Sequence, residues 1–231
     1  MNIHPDILIH WTDRRWAGQD PTDQLRSAYI QRLGAFYRDG LWLTDQSENP
    51  EIIHGAFRNR TVIQPGSILC LTELRLSLVH NHITKFGGLG IGFRRAFMMK
   101  KGANPVFYLQ NDDAGVVNTN IGRLVKAAEC NPSLDLFLSY VKAMSKDKGQ
   151  VLQQYDEIEW RCVDCIVSDT DARPYPVRNG HPTFEFQPED VEIIIFPDKK
   201  TRTDAVGSPG LKPYFDRHLP MMIDATEIGN L

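Results

Sequence analysis

The apolar residues of this chain come in short runs closed by turn formers. DILIHW, SILCLTEL, GLGIGF, PTFEF and VEIIIF are five to eight residues each, the length of a strand that crosses a sheet once. A membrane-spanning helix needs about 18 uninterrupted apolar residues, so the same feature excludes that class. The chain must bury its core by pairing strands and covering them.

Helical patterns lie between these runs. DPTDQLRSAYIQRLGAFYRDG sets Leu25, Ala28, Tyr29, Leu33 and Phe36 at helical spacing, with Asp20 as cap, Pro21 at the first helical position and Gly40 as stop. It predicts a helix over 21–39. LSLVHNHITKFG and FRRAFMMKKGA predict shorter helices, stopped by the Gly87-Gly88 pair and by Gly102. Residues 121–145 carry Leu124, Val125, Ala128, Leu134, Phe137, Leu138 and Val141 at spacings of three or four, which predicts a helix bent near Asn131-Pro132. Strands are predicted at 7–11, in SILCLTEL, at 88–93, in NPVFYLQ with Pro105 near its start, and in EIEWRCV, PTFEF and VEIIIF; Leu41-Trp42-Leu43 begins a loop or short strand. Helices dominate the first two thirds and strands the last third. That order predicts an α+β fold, one domain over 1–231 with a mixed or antiparallel sheet and flanking helices.

Of the 231 residues, 42% are hydrophobic and 24% charged, which excludes disordered and fibrous classes. A net charge of -3 gives no general attraction to nucleic acid. Arg94, Arg95, Lys100 and Lys101 could form a local basic patch, although such a run is usually hydrated surface. MNIHPDILIHWTDRRW has no basic segment leading into an apolar core and cleavage site, so a cytoplasmic protein with its four cysteines as thiols is expected.

Cys162-Val-Asp-Cys165 has zinc-ligand spacing, but no second pair of soft ligands accompanies it, and no metal is expected. Cys162 reads as a core residue. His80 and His82, two apart on a predicted helix, do not face each other. Trp42 and Trp160 read as core or wall aromatics, and Asp112-Asp113 as a solvated turn. GGLGIGF is glycine-rich, but it leads into a strand, whereas the dinucleotide fingerprint joins a strand to a helix.

YDEIEWRCV, residues 155 to 163, sets Glu157, Glu159 and Arg161 on one face of a predicted strand and Ile158, Trp160 and Cys162 on the other. Two close carboxylates raise the pKa of at least one, as a site that exchanges protons or stabilises a cation requires. Alternatively the three form a solvated outer face in which Arg161 offsets the acids.

IHWT, RDGLW, CLTELRLSLVHNHITKFGGLGIGF, NPVFYLQ and EIEWRCV, in that order from about residue 7 to 200, resemble the abortive-infection phage-resistance proteins called AbiGi. That family is described as the antitoxin of a two-gene phage-defence pair, so the resemblance implies a cognate toxin as partner. The pattern also resembles the ADP-ribosyltransferase superfamily, including the DNA-modifying DarT toxins, whose early strand carries a His-x-Thr element and whose late strand carries the catalytic glutamate. His10-Trp11-Thr12 and Glu157-Ile158-Glu159 match those elements.

This second resemblance implies an ADP-ribosyltransferase-like fold with NAD as substrate and a macromolecular acceptor, RNA, DNA or protein. Glu159 would stabilise the ribosyl cation and hold its 2'-hydroxyl, and Glu157 would orient or deprotonate the nucleophile. His10 would bond the adenosine-side ribose with Thr12 beside it. Phe86 or Tyr108 would stack on nicotinamide, and Arg94 or Arg161 would hold the pyrophosphate. The alternative is a catalytically inactive antitoxin, the interaction partner of a co-expressed toxin.

Overall fold

A computed structural model describes residues 6–12, 17–44, 67–73, 78–109, 123, 127, 137–143, 158–164 and 174–228. In chain order its strands and helices are β1 (Ile7–Thr12), α1 (Asp23–Asp39), β2 (Leu41–Trp42), β3 (Ser67–Glu73), α2 (Val79–Phe86), β4 (Leu89–Arg94) and α3 (Arg95–Lys100). There follow β5 (Asn104–Pro105), β6 (Phe107–Leu109), β7 (Val141–Ala143), β8 (Glu159–Asp164), β9 (Val177–Arg178) and β10 (His181–Phe184). β11 (Val191–Phe196), α4 (Lys199–Val206), α5 (Lys212–Phe215), β12 (Met221–Asp224) and α6 (Ala225–Ile228) complete the order. The fold is α+β, with a mixed sheet and flanking helices. The chain divides into two units, one of residues 1–41, 71–101 and 185–231, the other of residues 42–70 and 102–184.

In the first unit the strands run β12-β11-β4-β1-β3. All pairings are antiparallel except β11 with β12. The glycines of GGLGIGF explain how the middle is built. Leu89, Ile91 and Phe93 are fully buried on one face of β4, while Gly88, Gly90 and Gly92 alternate with them. The register sets Ile9 and Ile193 on either side of Gly92, and Trp11 and Ile195 on either side of Gly90. A Cβ on Gly92 would meet Ile193 Cγ2 at 2.5 Å, and one on Gly90 would meet Ile9 Cγ2 at 2.9 Å. Side chains of the two flanking strands therefore lean together over a strand that presents none. They form one core cluster with Val79, against which Ile83 and Phe86 of α2 pack. The glycines serve close packing, not a phosphate.

α1 starts at Asp23 rather than at the predicted 21. Thr22, not Asp20, is its cap: the Thr22 hydroxyl accepts from the Leu25 N–H at 3.2 Å, leaving Pro21 outside the helix. Gly40 closes it at φ 83, as predicted. The Tyr29 hydroxyl accepts from the Gly88 N–H at 3.1 Å. Arg26 reaches Asp198 at 2.8 Å, and Asp198 caps α4 by accepting from the Thr201 N–H and hydroxyl at 2.6 and 2.7 Å.

Among the described residues of the last third, five strands outnumber three α-helices, but α4, α5 and α6 were not expected there, and β12 pairs parallel with β11. Only Thr201 and Ala205 of α4 are buried, an apolar stripe too short to register as periodicity. Two further expectations change. NPVFYLQ is split, because β5 pairs with β8 while β6 pairs with β7, and Val106 between them donates to the Glu159 carbonyl at 2.9 Å. Residues 141–143, predicted as the end of a helix, are the strand β7, parallel to β6. Most of that predicted helix, with Asp112-Asp113, lies outside the described residues.

In the second unit β8 lies between β3 and β5, and β2, β10 and β9 form a three-stranded sheet in that order. β9 and β10 are joined by Asn179 and Gly180, both at positive φ, 50 and 81. This is the two-residue hairpin loop that Asn-Gly favours, because its twist matches that of the strands.

Candidate functional site

β8 was expected to have an apolar and an ionised face, the latter open to water if structural. Instead all six of its residues are buried. Glu159 and Arg161 do share a face, bonding each other across it, but that face is buried; Ile158, just before β8, has φ 36. Glu157 lies outside the described residues.

Glu159 is 6% exposed and Arg161 2%. Arg161 Nε donates to Glu159 Oε1 at 2.7 Å, and Lys142 of β7 donates to Oε2 at 2.7 Å. Arg161 also donates to the Ser139 carbonyl at 2.6 Å. Tyr108 of β6 accepts from the Glu159 N–H at 3.2 Å, and its ring lies 5.8 Å from the Lys142 ammonium. Burial alone would raise the Glu159 pKa, but the two cations outweigh it and hold the carboxyl at about 2. The group is a committed anion, and each of its oxygens carries a cation.

The second unit thus brings Glu159, Arg161 and Tyr108 together and adds Lys142, which sequence reasoning missed because its segment read as a helix. The other described candidates lie in the first unit. His10 stands edge-on to Phe36 of α1, centroids 6.2 Å apart, and Thr12 pairs with Leu89 along the β1–β4 ladder. Phe86 packs on the core cluster, its ring edge-on to His82 at 5.8 Å and beneath Lys85. Arg94 pairs with Glu192 at 2.5 Å.

Trp11 of the His-Trp-Thr element makes a buried polar bond, its indole N–H donating to the Thr72 hydroxyl at 2.9 Å. That hydroxyl lies 3.3 Å from His82 Nδ1. His82 is buried in this network and His80 is exposed.

The basic run is partly neutralised, Arg95 meeting Asp6 and Glu73 at 3.3 and 3.7 Å. Cys162 is fully buried and its thiol is pushed up by burial to about 11, so it stays protonated at neutral pH. Cys165 lies outside the described residues. Among the described residues no three His, Cys, Asp or Glu side chains group as a metal site requires, and no helix is long and apolar enough to cross a membrane.

Of the two tryptophans read as core or wall aromatics, Trp160 is in the core and Trp42 is not. It is 42% exposed and stacks on the His181 ring, centroids 4.8 Å apart.

Residues 56–197 match the family model described as "Putative abortive phage resistance protein AbiGi, antitoxin". No curated protein matches the chain, and no solved structure does.

Proposed function

We propose, on the premise that this chain belongs to the AbiGi family of abortive phage resistance antitoxins, that it works by binding a companion toxin rather than by turning over a substrate. The geometric observation that supports this reading is the state of Glu159. A carboxylate that stabilises a developing sugar cation must offer an unneutralised oxygen to it. Both oxygens of Glu159 are engaged at 2.7 Å, by Arg161 and by Lys142. With one negative and two positive groups, the cluster is net cationic and would repel a ribosyl cation. Its geometry suits a buried structural ion pair.

The transferase reading, with NAD as ADP-ribose donor to a macromolecule, draws on one observation. Glu159, Arg161 and Tyr108, three of the residues assigned to that chemistry, do meet.

One experiment separates the two. The chain is expressed with its companion toxin, and growth is compared for wild type and Glu159→Gln, while each purified protein is incubated with labelled NAD and cell lysate, RNA and DNA. The antitoxin reading expects wild type to restore growth and neither protein to consume NAD. NAD turnover by wild type that a Glu159→Gln protein, shown by its melt to be folded, lacks would install the transferase reading in its place.

A further inference from the structure

Tyr37, in the last turn of α1, is 9% exposed, and its buried hydroxyl has no hydrogen-bond partner among the described residues. A buried phenol normally finds one. The groups around this one are rings. The Tyr214 ring of α5 lies on it, centroids 4.8 Å apart and 12° from parallel, and the Phe186 and Phe215 rings stand edge-on at 5.9 and 6.1 Å. Burial pushes the Tyr37 pKa up, so the group stays a neutral O–H donor at physiological pH.

Leaving that donor dry weakens the fold, because a buried polar group without a partner keeps its full desolvation penalty. Phenylalanine would fill the same place without the penalty. Local costs of this kind gather at functional sites, where something outside the chain completes the polar group.

The cover over Tyr37 is slight. α5 is four residues long and none of them is buried, and Phe186, Tyr214 and Phe215 are each half-buried. An element with so few buried contacts opens at a small fraction of the cost of global unfolding. Moving the Tyr214 ring aside uncovers the hydroxyl and leaves the Phe186 and Phe215 rings as walls beside it.

The surrounding charges choose among occupants. Each charge beside Tyr37 and along α5 has its counter-ion: Arg38 pairs with Asp39 at 2.7 Å, Lys212 with Asp216 at 3.1 Å and Arg217 with Glu189 at 3.0 Å. A phosphate or carboxylate finds no spare cation there, and bringing it in among the rings carries a heavy desolvation penalty. A peptide carbonyl is a neutral acceptor for the O–H, and an apolar side chain next to it covers the rings.

We propose that Tyr37, Phe186, Tyr214 and Phe215 form a docking site for an uncharged, apolar segment of the companion toxin, one of whose backbone carbonyls accepts from the Tyr37 hydroxyl. This rests on the antitoxin reading and assigns it a surface.

The test uses the full chain and the purified companion protein of the two-gene pair, with a thermal melt of each variant and its affinity by calorimetry. Tyr37→Phe is expected to melt about 2–4 °C above wild type and to bind the companion at least about threefold more weakly. A residue that only fills the core would not move those two readings in opposite directions. Phe215→Ala should stay folded and bind at least about fivefold more weakly; if it does not fold, Tyr37→Phe carries the test alone. A Tyr37→Phe protein that melts no higher than wild type would mean that the hydroxyl is satisfied, and overturns the proposal. One that melts higher but binds within about twofold of wild type, while wild type restores growth, overturns it as well and leaves the antitoxin reading standing. If wild type neither binds the companion nor restores growth, the antitoxin reading falls and this one with it. Sedimentation of the chain alone is run beside these. Self-association that Tyr37→Phe abolishes while toxin binding survives would put a second copy of the chain in the site and overturn the proposal.

Discussion

Arg161 donates to Glu159 at 2.7 Å from two positions later on the same buried strand, and Lys142 takes the second oxygen at the same distance. Removing one partner of such a pair leaves the other buried without its counter-charge, which costs about 3–5 kcal/mol. Glu159→Gln is therefore expected to unfold at a clearly lower urea concentration than wild type. A catalytic glutamate would instead give a variant of wild-type stability without activity. Equal denaturation midpoints for the two proteins would remove Glu159 from the framework.

The same carboxylate predicts an acid limb. Its folded-state pKa of about 2 lies below the ordinary 4.5, so its contribution is fully present above about pH 4.5 and is lost as pH falls toward 2. Wild-type stability should fall between about pH 5 and pH 3 by more than that of Glu159→Gln. Denaturant titrations at the two pH values check this, and parallel losses in both proteins would contradict it.

Gly92 stands where Ile9 and Ile193 close over β4. Gly92→Ala forces a methyl into Ile193 Cγ2 and should cost about 2 kcal/mol or more, as overpacking of a fixed core does. Gly207→Ala is the control. Gly207 ends α4 at φ -76 with its nearest foreign atoms at 3.6 and 3.8 Å, so alanine there should be neutral or add about 0.5 kcal/mol. Equal thermal shifts for the two variants would refute the packing account.

Asp198 caps α4 and receives Arg26 from α1. Burial alone would raise its pKa, but Arg26 and the Thr201 donors outweigh it and hold the carboxyl below its ordinary range. Asp198→Ala should cost about 1 kcal/mol for the lost cap, with the part-buried ion pair to Arg26 adding less than that at physiological salt. Asp198→Ser should restore most of the loss by keeping an accepting oxygen at the cap, and hydrogen exchange across 199–206 would report it.

α1 was legible because its apolar spacing, Leu25 to Phe36, spans about three turns and Gly40 ends it, and β1, β3, β4 and β11 because their runs have strand length. The ions of β8 were not. Alternation distinguishes faces only when one face is wet, and in a strand buried on both sides Glu159 and Arg161 look the same in sequence as a solvated pair. Lys142 was hidden because Val141 and Phe137 fit a helical period that β7 interrupts. Trp42 was left as a core or wall aromatic, and it is half-exposed against His181, a contact that no spacing between residues 42 and 181 could reveal. Asn179-Gly180, between Arg178 and His181, is a two-residue hairpin signal that went unread.

The glycine-bearing strand β4 finds one neighbour, β1, early and the other, β11, only at residues 191–196. A nascent chain emerging from the ribosome has both β1 and β4 in hand by residue 94, but then makes most of the second unit, residues 102–184, before β11 arrives. Throughout that interval one edge of β4 carries unpaired amides and carbonyls beside side chains destined for the core, an invitation to intermolecular pairing. Slowing translation between residues 102 and 190 should therefore lower the soluble yield, and supplying the 185–231 segment in trans should recover it.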